Sequence, residues 1–142
     1  MGNKQRESAA WSNFSDSIDR GRLLTHRVEN MEGNGTPDVI MKNSYGTVIW
    51  CENKALEVWP KRPTTCPLKN SFERGQLGWM REWKFKNGHA FCLLRVEDKE
   101  FYLLDPAWRI ENKTRAELLI LAKATGKTQI IEFLYELRNN GL

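Results

Sequence analysis

The sequence has few of the residues that build thiolate metal sites or disulfide frameworks. It holds three cysteines, Cys51, Cys66 and Cys92, with no Cys-X-X-Cys pair, and only two histidines. That is too few ligands, too widely scattered, for a structural zinc site. Cys51 and Cys92 fall in apolar stretches that read as buried strands, so the expectation is reduced core thiols in a cytoplasmic protein. No apolar run approaches membrane-spanning length, and the first residues show no signal-peptide core. There is no internal repeat and no low-complexity segment. No serine or cysteine lies next to a plausible base, which argues against a covalent nucleophile.

What is present describes one domain. The chain has 142 residues, 40% of them hydrophobic, and a net charge of +4. A chain of that length buries about two thirds of its unfolded surface. A mildly basic balance suits a nucleic-acid partner without demanding one. Six tryptophans are many for this length. They suit a core, an interface or contact with DNA.

The chain is organised around two short apolar strands. One runs through Gly35-Thr36-Pro37-Asp38-Val39-Ile40-Met41, the other through Val48-Ile49-Trp50-Cys51-Glu52-Asn53-Lys54. Asn43-Ser44-Tyr45-Gly46 is the turn between them. Asp38, Glu52 and Lys54 interrupt these strands, and a charge inside an apolar strand is costly unless compensated. Glu52 and Lys54 are two apart and leave the same face of a strand. Antiparallel pairing through the turn brings Asp38 towards Glu52. Two converging carboxylates are commonly compensated by a hard divalent cation, here with an ammonium beside it.

With Pro37-Asp38 and Glu52-Asn53-Lys54, the chain resembles the PD-(D/E)XK nucleases. A glycine-rich approach (Gly33-Asn34-Gly35), a following helix with Gln76, and the strand Gly88-His89-Ala90-Phe91-Cys92-Leu93-Leu94 extend the likeness. This order resembles Holliday-junction resolvases and VRR-NUC nucleases, over roughly residues 27–104. The resemblance implies an α/β (α+β) fold: a restriction-endonuclease-like core, with a central mixed sheet flanked by helices, at about 8–105. A helical tail follows at 106–142. It implies catalytic roles for Asp38, Glu52, Lys54 and Gln76, and Mg²⁺ or Mn²⁺ held by Asp38, Glu52 and the Asn53 carbonyl. It implies hydrolysis of DNA, branched or junction DNA above all, by a homodimer. A flap or junction nickase of VRR-NUC type and a catalytically silent DNA-binding module are the competing readings. A small phage nuclease would fit the length.

The remaining segments supply further candidates. A first helix is expected at about 8–20, with Ala10, Trp11, Phe14 and Ile18 as its apolar stripe. A first strand is expected at 23–30, with Arg27 and Glu29 on one face. Relatives often carry one more acidic residue. The helix offers Asp16 and Asp19, with Glu7 just before it. Glu29 is preferred because its strand leads into the site, although it could equally pair with Arg27 at the surface. Residues 55–68 contain Pro60, Pro63 and Pro67 and read as a long loop. It either overhangs the site, with Trp59, Lys61 and Arg62 on DNA, or merely connects. Lys69 joins Arg27, Lys61 and Arg62 as a DNA-binding candidate. The next helix is expected from Asn70, capped with Glu73, to about Lys86. Gln76 falls on its apolar face between Phe72 and Met80. It is either a satisfied core glutamine or, as the resemblance implies, a residue reaching the metal site. Two C-terminal helices are expected at about 115–124 and 128–139.

Overall fold

A computed structural model describes residues 3–28 and 36–139, and the side chains from Lys4 onward. Six strands form one mixed sheet in the order β1 to β6. They are β1 (Leu23–Arg27), β2 (Val39–Asn43), β3 (Val48–Leu56), β4 (His89–Val96), β5 (Glu100–Leu104) and the two-residue β6 (Ala124–Thr125). Only β3 and β4 pair in parallel, with Glu52 beside Cys92. A parallel pair needs a crossover, and helix α2 (Gln76–Phe85) lies within it. The other pairings are antiparallel.

Both faces of the sheet are covered. On one, α1 (Asn3–Ser15) contributes Trp11 and Phe14, and α4 (Lys127–Glu136) contributes Ile130, Ile131 and Leu134. They pack on Val39, Met41, Ile49, Cys51, Leu93 and Leu103. On the other, Trp59, Leu68, Ile110 and Leu118 cover Cys92, Leu94, Val96 and Leu104. Leu118 comes from α3 (Arg115–Leu121). Thr114 and Glu117 start that helix as a capping box, each side chain accepting from the other's backbone N–H. Both C-terminal helices therefore build the core.

The β2–β3 turn is tied to the far end of α4 through Asn43. Its Oδ1 accepts from the N–H groups of Tyr45 and Thr47, and its Nδ2 donates to the carbonyls of Leu134 and Leu137. All four hydrogen-bonding positions of this buried amide are used. Gly46 takes φ 78°, which closes the turn without a Cβ penalty.

Several boundaries differ from expectation. Helix α1 starts five residues earlier than its apolar stripe suggests and stops at Ser15. Helix α2 starts at Gln76 rather than Asn70, because the loop after β3 continues to Gly75 at φ 91°. Asn70 and Glu73 therefore form no capping box for it. The Trp59 indole, for which contact with DNA was one of two readings, is buried against Tyr102 and donates to Glu100 at 3.2 Å.

Candidate metal and phosphodiester site

Strand β3 runs through the middle of the sheet, so Glu52, Asn53 and Lys54 are all buried. The register pairs Val39 with Cys51, and one step further puts Asp38 beside Glu52 on the same face. Asp38 is fixed through both its backbone and its side chain. Its carbonyl accepts from the Val28 N–H at 2.7 Å, and its Oδ2 accepts from the Asn53 N–H at 3.0 Å. A strand residue directs its N–H and C=O to the same edge. The Asn53 carbonyl therefore leaves β3 on the Asp38 side.

The third carboxylate comes from α1. One oxygen each of Glu7, Asp38 and Glu52 lie within 4.8 Å of one another. The preferred candidate, Glu29, lies outside the described residues, as does the glycine run before Thr36. Glu7 had been only an alternative. The apolar stripe gave no hint that the helix reached back to it.

Lys54 and Gln76 surround Glu52. The Lys54 ammonium is 3.3 Å from Glu52 Oε2 and 3.9 Å from Glu7 Oε2. It also stands 5.1 Å from the centroid of the Phe72 ring. Phe72, expected on the helix, instead sits in the loop before it and faces the lysine. Gln76 Nε2 donates to Glu52 Oε2 at 2.9 Å, while its Oε1 accepts from the Glu73 N–H at 2.9 Å. The second bond fixes which end of the amide meets the carboxylate. Gln76 is thus both a satisfied buried amide and part of the cluster.

The electrostatics are those of buried carboxylates crowded beside the Lys54 ammonium. Burial, then repulsion from Asp38, raises the pKa of Glu52 from an ordinary 4.5 to about 8, against the pull of Lys54. Burial raises Glu7 to about 7, with Lys54 opposing and Asp38 and Glu73 adding to the rise. Burial lowers the Lys54 pKa, but Glu52 and Glu7 outweigh it and hold the ammonium above its usual value. Lys54 is therefore a cation, not a base, wherever these carboxylates titrate. Glu52 Oε1 is buried and has no hydrogen-bond partner among the described residues. Such an oxygen, beside Glu7 and Asp38, suits a divalent cation that takes oxygen donors.

The cluster opens into a cleft of about 590 Å³, whose wall includes Lys4, Arg27, Asn70 and Ser71. Arg27 donates to Ser8 Oγ there at 3.1 Å. Lys61, Arg62 and Lys69 are exposed on the loop after β3 and do not line the cleft. A hollow of about 700 Å³ elsewhere includes none of the three carboxylates, and its Arg6 and Arg95 already pair with Glu57 and Asp98.

No protein-family model and no curated protein sequence matches the chain. A solved structure does: Hjc, a Holliday junction resolvase from the archaeal hyperthermophile Archaeoglobus fulgidus. The TM-score is 0.55, over 87% of this chain and 96% of that one. The two chains share a fold. At 10% identity the likeness is of architecture, a restriction-endonuclease-like mixed sheet with flanking helices. Within this fold, Asp38, Glu52, Lys54 and Gln76 lie together among the described residues, joined by Glu7.

Proposed function

We propose that this chain is a metal-dependent DNA endonuclease that cuts branched DNA as a junction resolvase does. The observation that carries the reading is the convergence of Glu7, Asp38 and Glu52 beside Lys54 and Gln76, in a cleft of a resolvase-like fold. Hard carboxylate oxygens suit Mg²⁺ or Mn²⁺, with the Asn53 carbonyl as a further donor. Such an ion, when bound, supplies the charge that activates water and offsets the negative charge gathering on the phosphate.

The chain's own residues do the rest. Lys54 presents a fixed ammonium, held between two carboxylates and a ring, beside the position where that charge develops. Gln76 prevents Glu52 from rotating away. Lys4 and Arg27 on the cleft wall attract the phosphate backbone. Lys61, Arg62 and Lys69 extend that attraction along the exposed loop, and Glu29 is kept in this proposal as a ligand to a second ion. A four-way junction requires two symmetric cuts, which a homodimer supplies.

The test uses the native chain and Asp38→Ala. Labelled four-way junction, flap, single-stranded and linear duplex DNA are incubated with Mg²⁺, Mn²⁺ or EDTA. Paired, symmetric, metal-dependent nicks at the junction, lost in Asp38→Ala, are expected. Single nicks confined to flaps would replace the resolvase reading with a flap nickase. Binding without cutting under either ion would leave a DNA-binding module and overturn the proposal.

A further inference from the structure

Trp79 and Trp83 stand one turn apart on α2. Their rings stack, with centroids 5.4 Å apart and planes 10° from parallel. Both meet Trp50 of β3 edge-on, at 5.2 and 6.0 Å. Helical side chains lean towards the N-terminus, over the preceding turn. Positions 75, 79 and 83 therefore form a ladder, and its first rung is Gly75. Along this side of α2 runs a hollow of about 580 Å³, lined by Gly75, Gly78, Trp79, Glu82, Trp83 and Lys86.

The backbone explains one of these glycines and not the other. Gly75 takes φ 91°, which favours glycine. Gly78 lies inside the helix, and a Cβ there would meet no described atom within 4 Å. Glycine weakens a helix interior relative to alanine, so packing gives no reason for it. With no side chain at this position, the hollow that Gly78 and Trp79 line stays open.

The hollow and the acidic cleft both draw on the start of α2, at Gly75 and Gln76. Gln76, next to Gly75, holds Glu52 at 2.9 Å. Trp50 precedes Glu52 by two residues on the same face of β3, about 7 Å along the strand. A base whose own phosphate lies in the cleft can reach the Trp79 ring. Lys86 neutralises Glu82 through an ion pair, so the hollow suits a neutral planar ring better than a phosphate. We propose that this hollow takes one unpaired nucleobase of the strand being cut, stacked on Trp79 as the next rung of the ladder. This inference rests on the nuclease reading: it names what holds the substrate strand beside the acidic cleft. Strands part at a branch point, so one base can be unpaired there, and aromatic platforms bind an unpaired base whatever its sequence.

The experiment places the fluorescent base 2-aminopurine at each nucleotide flanking the mapped cut in a four-way junction. Native protein, Gly78→Leu and Trp79→Leu are compared, with Ca²⁺ for binding and Mg²⁺ for cleavage. Gly78→Leu fills the hollow, favours the helix and touches none of the carboxylates. Native protein should quench one labelled position. Both variants should leave it bright and raise KM about tenfold to a hundredfold. Mn²⁺ affinity should hold in both, and thermal stability should hold in Gly78→Leu. An abasic nucleotide at that position should cost the native protein the same factor and the variants nothing more. If native protein cuts while Gly78→Leu quenches and cuts equally well, the stacking proposal fails and the nuclease reading stands. If native protein neither binds nor cuts, both fail. A dimer that dissociates in Gly78→Leu, with no quenching in the native protein, would put a second copy of the chain on these rings and overturn the proposal.

Discussion

Lowering the pH from 9 to 6 should weaken divalent-metal binding on the order of a thousandfold. The acidic cluster sets this magnitude. Glu7 titrates at about 7 and Glu52 at about 8, and a metal must displace a proton from each. At pH 9 both are mostly ionised. At pH 6 displacing the Glu7 proton costs about tenfold and the Glu52 proton about a hundredfold, together about 4 kcal/mol. Calorimetric titration of Mn²⁺ at half-unit intervals measures it directly. Without metal, protein stability should run the other way. A carboxylate whose folded pKa is raised stabilises the fold below its ordinary 4.5. That contribution is lost as pH rises through about 7 and then about 8. The melting temperature of the metal-free protein should therefore fall between pH 6 and 9, and Mg²⁺ should restore it most at the alkaline end. Glu52→Gln removes the larger step and should flatten the metal profile to about tenfold. A native affinity that does not change between pH 6 and 9 would refute the reasoning, because the carboxylates would then not be the ligands.

Two further substitutions test the frame around the site. Asn43→Ala removes the acceptor of the Tyr45 and Thr47 N–H groups and a donor to the Leu134 and Leu137 carbonyls, of which Leu137 keeps the Thr47 hydroxyl. It should cost about 2–4 kcal/mol in urea unfolding, and a loss below about 1 kcal/mol would show that the turn is not pinned to α4 as described. Gly88→Ala would place a Cβ 2.2 Å from Trp83 Nε1. The ring has to shift, so a loss of about 1–3 kcal/mol and a changed tryptophan emission are expected, with Mn²⁺ affinity unaltered. An unchanged emission spectrum would count against the packing of Trp83 on Gly88.

The centre of the site was legible because its geometry is set by short-range rules. A tight turn and a period of two are enough to put Asp38 and Glu52 on one face, and Gln76 stood out as a polar residue on an apolar stripe. Glu7 was harder to find. Hydrophobic periodicity marks only the part of α1 that packs on the sheet, at Trp11 and Phe14, while the first turns lie over a polar cleft and carry no such pattern. The start of α2 was misplaced for a related reason. Phe72 sits four before Gln76 and mimics a helical stripe, but its ring faces the Lys54 ammonium instead. Trp59 looked available because its neighbours are prolines and cations. Only the fold reveals that Glu100 and Tyr102 draw it inward. Strand β6 is two residues long, too short to leave a pattern in sequence.

The first helix brings one carboxylate to the cleft within about one turn of its own start, since Asn3 and Glu7 are four residues apart. A polyhistidine handle fused ahead of that helix would hang its imidazoles over the three carboxylates, competing with them for any added metal. At the other terminus the Arg138 carbonyl meets His89, at the foot of β4 and away from the carboxylates. Handles, dyes and surface tethers belong there, and metal requirements measured with the opposite arrangement would describe the handle as much as the acidic cluster.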